Sequence, residues 1–241
     1  MLKDQIYLRS VKIDTKVDID FNAYPFNIAA VKNMQDLKFD SQVTFFVGEN
    51  GSGKSTILES IALALGFSAE GGTRNFSLRT TAACASELYR ALKISRGILR
   101  PKDGYFLRAE SFYNVATYMD EVGYLNGYKG SLHARSHGEA FMAVLLHKLT
   151  GEGLYLFDEP EAALSVNNQL AMLCIMHELV NNKSQFIIST HSPILLAYPN
   201  AKILRFDKSG IEEISYEETD SYVLTKSFLN NHSRNIEKIL L

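Results

Sequence analysis

Residues 43–64 read VTFFVGENGSGKSTILESIALA, and this stretch decides the fold. It begins with a β-branched and aromatic run at residues 43–47, which is typical of a buried strand. A glycine-rich loop follows at 48–53, and the apolar residues after it recur with helical spacing until Gly66, a typical C-terminal cap. The stretch therefore predicts a strand, a loop and a helix in direct succession.

The loop fits the phosphate-binding pattern G-x-x-x-x-G-K-[ST]. Glycine allows positive φ and lets the backbone approach a phosphate, while the following helix points the positive end of its dipole at the anion. We expect Lys54 to act in catalysis by reaching the β- and γ-phosphates, and the Ser55 hydroxyl to bind Mg²⁺. The residues predicted to hold ATP here are Gly48, Glu49, Asn50, Gly51, Ser52, Gly53, Lys54, Ser55 and Thr56. An ordinary glycine turn is the alternative.

Composition bounds the class of protein. The chain has 241 residues, of which 46% are hydrophobic, and a net charge of −2. The hydrophobic fraction is ample for a buried core. The net charge does not indicate a protein that binds polyanions over its whole surface. The sequence shows no signal peptide, and no apolar run approaches the length of ~20 residues that a membrane-spanning helix needs. Cys84 and Cys174 do not have the spacing of a metal-binding or redox motif. These features predict a cytoplasmic protein without direct membrane insertion.

The remaining periodicities predict an α/β chain. A continuous apolar run, as at residues 154–157, is typical of a central parallel strand that is covered on both faces. Further strands are predicted at 6–13, 37–40, 185–190, 201–206 and 211–216, and helices at 110–122, 137–149, 167–181 and 219–241.

Acidic residues and a histidine follow two of these strands. Asp158 at a strand end can hold Mg²⁺, and Glu159 beside it can accept a proton from an attacking water. His191 follows the next core strand, 33 positions after Asp158, at the end where parallel strands present ligands. It can hydrogen-bond a γ-phosphate near neutral pH. A strand that happens to end in acids and a structural histidine are the alternatives.

One segment is strongly basic. Residues 72–108 contain eight Lys and Arg but two acidic residues, a net charge of +6. A surface that meets phosphates, of the nucleotide or of a nucleic acid, is one interpretation. The other is a solvated helical arm whose charges pair with acids elsewhere, and the lack of a repeated stripe favours it.

Residues 136–139, Ser-His-Gly-Glu, precede a predicted helix. Ser136 can cap the helix, and Gly138 leaves its N-terminal backbone open. Taken with the other motifs, the chain resembles an ATP-binding-cassette (ABC) ATPase domain. The matching segments are 48–56 for Walker A, 154–159 for Walker B, 136–139 for the L-S-G-G-Q signature, 163–165 for the D-loop and His191 for the switch histidine.

Departures from the family pattern indicate which branch of the ABC superfamily the chain resembles. His137 replaces the first signature glycine, and Glu139 ends the motif, as in the SMC and DNA-repair branch. Transporter cassettes carry a glutamine after the first helix, but this chain has none between Gln42 and Gln169. Residues 190–193 are similar to stand-alone ATPases related to OLD and RecF-like proteins. The 79 residues between Thr56 and Ser136 show no heptads, which argues against an SMC-type rod.

The resemblance implies a P-loop NTPase of ABC type, with a mixed central sheet and flanking helices in a single domain over residues 1–241. Its parts would be an antiparallel β subdomain at 1–42, a helical arm carrying the signature at 70–150, and a C-terminal hairpin and helices at 207–241. Tyr24 or Phe26 could stack on the adenine, or both could be core residues.

The resemblance also implies that two copies sandwich ATP head to tail. One would supply Lys54, Ser55, Asp158, Glu159 and His191, and the other Ser136 and Gly138. The expected function is a soluble switch or motor driven by ATP hydrolysis, acting on an unidentified protein partner in DNA repair or defence, with nucleic acid as a further candidate. The alternatives are the ATP-binding subunit of an ABC transporter and a slow-turnover, nucleotide-gated binding module.

Overall fold

A computed structural model describes residues 5–73, 87–110 and 137–240. The strands in these residues are β1 (Leu8–Ile13), β2 (Leu37–Lys38), β3 (Val43–Gly48), β4 (Gly72–Thr73), β5 (Leu92–Arg96), β6 (Asp103–Arg108), β7 (Gly153–Asp158), β8 (Gln185–Ser189), β9 (Lys202–Phe206) and β10 (Ile211–Ile214). The helices are α1 (Ala29–Lys32), α2 (Lys54–Ala64), α3 (His137–Lys148), α4 (Val166–Asn181), α5 (Pro193–Leu196), α6 (Asp220–Asn230) and α7 (His232–Leu240).

A seven-stranded mixed sheet, in the order β10-β9-β3-β8-β7-β6-β4, is the framework of the molecule. The five inner strands, from β9 to β6, are parallel, and the edge strands β10 and β4 run antiparallel to their neighbours. This confirms the predicted α/β fold with a mixed central sheet. Because β3, β7 and β8 are parallel, the loops that follow them open at the same edge of the sheet, where ligands bind in such folds.

Both faces of the sheet are covered, which explains the continuous apolar runs in its strands. Phe45 packs into a core shared with α3 and α4, whereas the next residue, Phe46, packs into a second core with α2. The strand β7 is buried throughout for the same reason. The sheet therefore fixes the start of α2 against the ends of β7 and β8.

A second, three-stranded antiparallel sheet, in the order β2-β1-β5, lies beside the first. Gln185, a fully buried residue of β8, joins the two sheets. Its side-chain Oε1 accepts hydrogen bonds from the backbone N–H groups of Tyr7 and Leu8, both at 2.9 Å, and its Nε2 donates to the Leu8 carbonyl at 3.0 Å. One amide thus satisfies three backbone groups that the β1 ladder leaves unpaired.

The structure differs from the sequence interpretation in one segment. Within the predicted helical arm at 70–150, Leu92–Arg96 pairs with β1 and Asp103–Arg108 pairs with β7 as strands. The segment was interpreted from its net charge, and the apolar run at residues 105–107, which is buried, was therefore not recognised as a strand. Strand β2 pairs antiparallel with β1. Residues 74–86 and 111–136, with most of the helix predicted at 110–122, lie outside the described residues.

Candidate active site

The phosphate loop has the left-handed backbone that its glycines predict. The φ angles are +139° at Gly48, +80° at Gly51 and +101° at Gly53. A Cβ atom at Gly48 would lie 2.2 Å from the carbonyl oxygen of Phe206, and one at Gly53 would lie 2.8 Å from the Ile28 side chain. At both positions glycine is therefore required by close packing as well as by φ.

Lys54 lies inside this loop. Its Nζ donates hydrogen bonds to the carbonyl oxygens of Gly48, at 2.8 Å, and Glu49, at 2.9 Å. Burial lowers the pKa of Lys54, while the carboxylates of Glu159, Asp158 and Glu161 oppose that shift. A buried ammonium group held by neutral carbonyls is well placed to gain an anionic partner.

Ser55 and Asp158 meet between the start of α2 and the end of β7. The Ser55 hydroxyl donates a hydrogen bond of 2.9 Å to Asp158 Oδ1. Burial raises the pKa of Asp158, and the Ser55 hydroxyl and the Arg108 guanidinium oppose the shift. A hydroxyl and a carboxylate are ligands that suit Mg²⁺, which keeps waters and binds substrate phosphates at its other positions. The donor set therefore fits the predicted ion, although the described residues contain no group of three or more His, Cys, Asp or Glu side chains that could hold a metal alone.

Glu159 and His191 come together beyond the end of β7. His191 Nε2 lies 3.9 Å from Glu159 Oε1, and the two side chains are 42% and 41% exposed. Glu159 adopts a left-handed conformation with φ of +50°, and its N–H donates to the Ser189 carbonyl at 2.9 Å. Such strain in a non-glycine residue is concentrated at functional sites. Pro160 then begins a short 3₁₀ helix, Pro160–Ala163, which turns the chain away from the sheet.

The signature-like segment is described in part. Ser136 lies outside the described residues, and α3 begins at His137, close to the predicted start. A Cβ at Gly138 would lie 3.0 Å from the Ala163 carbonyl oxygen and 3.3 Å from Asn168 Nδ2, and within the described residues no phosphate-loop atom comes within 4 Å of it. Gly138 therefore packs against the D-loop-like segment of its own chain.

Sequence reasoning missed Arg108 and Glu59. Arg108 ends β6 and is the register partner of Asp158 at the end of β7. Its Nη1 donates to Glu59 Oε2, on α2, at 2.9 Å. Together with Ser55 and Glu159, Arg108 and Asp158 line a cavity of about 270 Å³. The signal in the sequence is a second apolar run, 104–107, that ends in a charged residue as 154–157 does.

A larger cavity of about 650 Å³ lies on the outer side of the phosphate loop. Its walls include Ile28, Ala29, Phe206 and Asp207 in addition to loop residues 48–52. Neither aromatic residue considered for adenine stacking lines it: Tyr24 is 67% exposed, and Phe26 is buried in the core.

Among the described residues of the basic segment, two sets of side chains differ in their partners. Lys102 pairs with Glu152, and Arg108 pairs with Glu59, as expected for charges that are balanced within the fold. Lys93, Arg96 and Arg100 are exposed, and within the part of the chain that the structure describes they pair with no acidic side chain. This second set leaves the phosphate-binding interpretation open.

Comparisons with known proteins point to the same class of site. A family model described as "AAA domain" matches residues 21–98, and one described as "AAA ATPase domain" matches residues 109–196. The structural maintenance of chromosomes protein 6 of Takifugu rubripes is 25% identical over 191 residues, which are 79% of this chain. The chain spans 14% of the length of that relative.

The solved structures of similar fold include ATP-binding proteins of transporters, of which two are described here. One, described as an inward-facing conformation of a metal-chelate type ABC transporter, has a TM-score of 0.49 at 15% identity and covers 90% of this chain and 88% of its own. The other, an ATP-binding subunit of an ABC transporter, has a TM-score of 0.49 at 17% identity and covers 88% of this chain and 91% of its own. At these TM-scores the likenesses add nothing to what the site itself indicates.

No helix in the described residues has both the length and the apolar character needed to cross a bilayer. Both matching family models describe ATPase-type domains, and each spans one of the motifs that meet at Ser55 and Asp158. The chain is therefore similar to ATPase-type domains over residues 21–98 and 109–196.

Proposed function

We propose that this chain binds Mg·ATP in the loop of residues 48–55 and hydrolyses it. The observation that carries the proposal is the 2.9 Å contact between Ser55 Oγ and Asp158 Oδ1, with Lys54 Nζ inside the adjoining loop. Two motifs that are 103 positions apart in the sequence thereby form one site. A magnesium ion bound there would be held by Ser55 and Asp158 and would neutralise charge on the β- and γ-phosphates.

The side chains have distinct roles in this proposal. Lys54 places its positive charge against the phosphate oxygens on which negative charge develops. Glu159 accepts the proton of the attacking water, and His191, whose Nε2 is 3.9 Å from Glu159, hydrogen-bonds the γ-phosphate. The ribose and base occupy the 650 Å³ cavity, where Ile28 and Phe206 offer apolar surface beside the loop.

A second copy of the chain is the proposed cover for this site. Glu159 and His191 are both about two-fifths exposed, whereas hydrolysis is favoured where bulk water is excluded. A head-to-tail partner that contributes Ser136 and Gly138 from the start of α3 would enclose them. ATP would then hold the pair closed and hydrolysis would release it, so that the protein acts as a switch or motor on a protein partner. Exposed Lys93, Arg96 and Arg100 make DNA a further candidate partner, with a role in DNA repair or defence.

A phosphate-release assay with and without duplex DNA tests the proposal. The natural chain should release phosphate from ATP in the presence of magnesium, and Lys54→Ala should lose at least about tenfold of its ATP binding, since the ammonium group contacts the phosphates directly. Lys238→Ala, on the exposed surface of α7, is the control and should bind ATP as the natural chain does. Absence of ATP retention by the natural chain at millimolar magnesium would overturn the proposal.

Measurement of ATP retention beside phosphate release, and purification of the chain with its bound partners, separate the two alternatives. Retention of ATP without steady-state phosphate release would indicate a nucleotide-gated binding module. Recovery of the chain in complex with a membrane permease would indicate the ATP-binding subunit of a transporter.

A further inference from the structure

Arg108 lies among three carboxylates at the edge of the proposed magnesium site. Its guanidinium is 2.9 Å from Glu59, 3.7 Å from Glu110 and 3.8 Å from Asp158. The side chain is only 20% exposed, and its buried Nε atom has no hydrogen-bond partner in the described residues. A buried cation is normally paired with well-formed hydrogen bonds, so an unused donor facing Asp158 requires a reason.

The two oxygens of Asp158 have different neighbours. Oδ1 accepts the Ser55 hydroxyl at 2.9 Å, whereas Oδ2 faces Arg108 Nε at 3.8 Å, which is beyond hydrogen-bonding distance. The guanidinium is held at this distance by its shorter contact with Glu59, on helix α2. Arg108 therefore compensates the charge of Asp158 without occupying its oxygen atoms.

We infer that Arg108 sets the magnesium requirement of the site, because its guanidinium competes with the divalent ion for the charge of Asp158 while Glu59 limits that competition. The inference rests on the proposed binding of Mg·ATP. Arg108 is a positioning residue in this role, since it acts through Asp158. The positive charge of Arg108 lowers the affinity of the site for the magnesium ion. The 2.9 Å contact with Glu59 prevents the guanidinium from moving into hydrogen-bonding distance of Asp158 Oδ2.

Two neutral substitutions should therefore move the magnesium requirement in opposite directions. Arg108→Gln removes the competing charge, so the concentration of MgCl₂ that gives half-maximal ATP binding should fall by about three- to tenfold. Glu59→Gln releases the guanidinium toward Asp158, so the same concentration should rise by about threefold or more. General damage to the site would weaken binding in both variants and cannot produce opposite shifts.

The experiment is equilibrium dialysis of radiolabelled ATP against the full chain over a range of MgCl₂ concentrations, which measures binding without turnover. Arg234→Gln, an exposed arginine of α7, is the matched control and should give the half-saturating concentration of the natural chain. Arg108→Lys keeps the charge and should remain within about twofold of the natural chain.

Arg108→Gln leaves Glu59 without its hydrogen-bonded partner and could fail to fold for that reason. The double variant Arg108→Gln/Glu59→Gln removes both members of the pair and keeps the test available. Its half-saturating concentration should lie below that of Glu59→Gln alone, since the competing charge is absent.

Equal half-saturating concentrations in all variants, or a shift of Arg108→Gln and Glu59→Gln in the same direction, would overturn the inference while leaving the proposed function intact. A natural chain that retains no ATP at any magnesium concentration would overturn both. The two failures are distinguishable because only the second appears in the natural chain.

Discussion

At Gly48 the backbone of the phosphate loop passes so close to β9 that no side chain fits between them. Gly48 has a φ of +139°, and a Cβ atom added to it would lie 2.2 Å from the carbonyl oxygen of Phe206. Gly51 has a φ of +80°, but a Cβ there would meet nothing within 4 Å. These two glycines therefore separate the effect of close packing from that of backbone conformation.

We predict that Gly48→Ala lowers the free energy of unfolding by about 2–4 kcal/mol, because both strain and a backbone clash are introduced. Gly51→Ala should cost about 1–2 kcal/mol, since only the left-handed backbone is penalised. Urea denaturation followed by circular dichroism measures both. Equal losses in the two variants would show that the contact with Phe206 can relax at no cost.

Asp158 should make stability depend on pH. Burial raises the pKa of its carboxyl group, so above about pH 4 the folded chain keeps a proton that the unfolded chain releases. Because the folded state then binds more protons, the free energy of unfolding should decrease as the pH rises through the folded-state pKa.

Asp158→Asn should accordingly show a shallower decrease with pH in urea titrations without magnesium or nucleotide. Glu59 acts in the same direction, because burial raises its pKa as well, whereas hydrogen bonds lower the pKa values of Glu152, Asp207 and Glu218 and act in the opposite direction. A decrease as steep as that of the natural chain would contradict this assignment to Asp158.

Among the elements, the strand β8 makes a structural contact at each of its two ends, one with the small sheet and one with the candidate site. Its first residue, Gln185, fastens β1 of the small sheet, and its last residue, Ser189, accepts the N–H of Glu159. The strand lies between β3 and β7, so it also sets the spacing of the phosphate loop and Asp158. The small sheet is thereby connected to the site through a single buried strand.

We predict that Gln185→Leu lowers the free energy of unfolding by about 3 kcal/mol or more, because two N–H groups and one carbonyl of Tyr7 and Leu8 lose their buried partner. Gln35→Ala, at an exposed position, is the control and should change it by less than about 0.5 kcal/mol. Chemical denaturation gives both values, and a loss below 1 kcal/mol in Gln185→Leu, at about the scale of one ordinary hydrogen bond, would count against the fastening role.

The sequence was sufficient to predict the elements whose residues carry strong local signals. The apolar run before Gly48 and the one before Asp158 indicated β3 and β7, and G-x-x-x-x-G-K-[ST] indicated the loop and α2. Strand β6 was missed because its apolar core, residues 105–107, lies inside a segment whose most evident property is its charge. Arg108 could not be assigned to the site for a different reason. Its position opposite Asp158 depends on a parallel strand pairing between residues that are 50 positions apart in the sequence.

For the whole molecule, the arrangement of Glu159, His191 and α3 bears on assembly. Glu159 and His191 remain half-exposed, and Gly138, at the start of α3, contacts Ala163 of its own chain rather than its own phosphate loop. The proposed head-to-tail pair, in which another copy completes the site, would account for both observations.

We predict that Glu159→Gln traps a dimer in the presence of Mg·ATP, since the variant keeps the binding residues but cannot accept the proton of the attacking water. Multi-angle light scattering at saturating Mg·ATP should give a mass twice that of the chain, and a monomer mass with ADP. Glu217→Gln, on the exposed surface before α6, is the control for loss of a negative charge. A monomer for Glu159→Gln with ATP retained would exclude assembly driven by ATP.

The position of β3 between β8 and β9 has a consequence for biosynthesis. Phe45 pairs with Ile188 on one side and Ile203 on the other, so the neighbours of this strand are translated about 140 and 160 residues after it. Until Phe206 has left the ribosome, Gly48 has no carbonyl to pack against and the strand has an open flank. A nascent polypeptide thus forms the proposed nucleotide pocket only after β9 has been synthesised, which would make nucleotide capture a marker of an assembled central sheet.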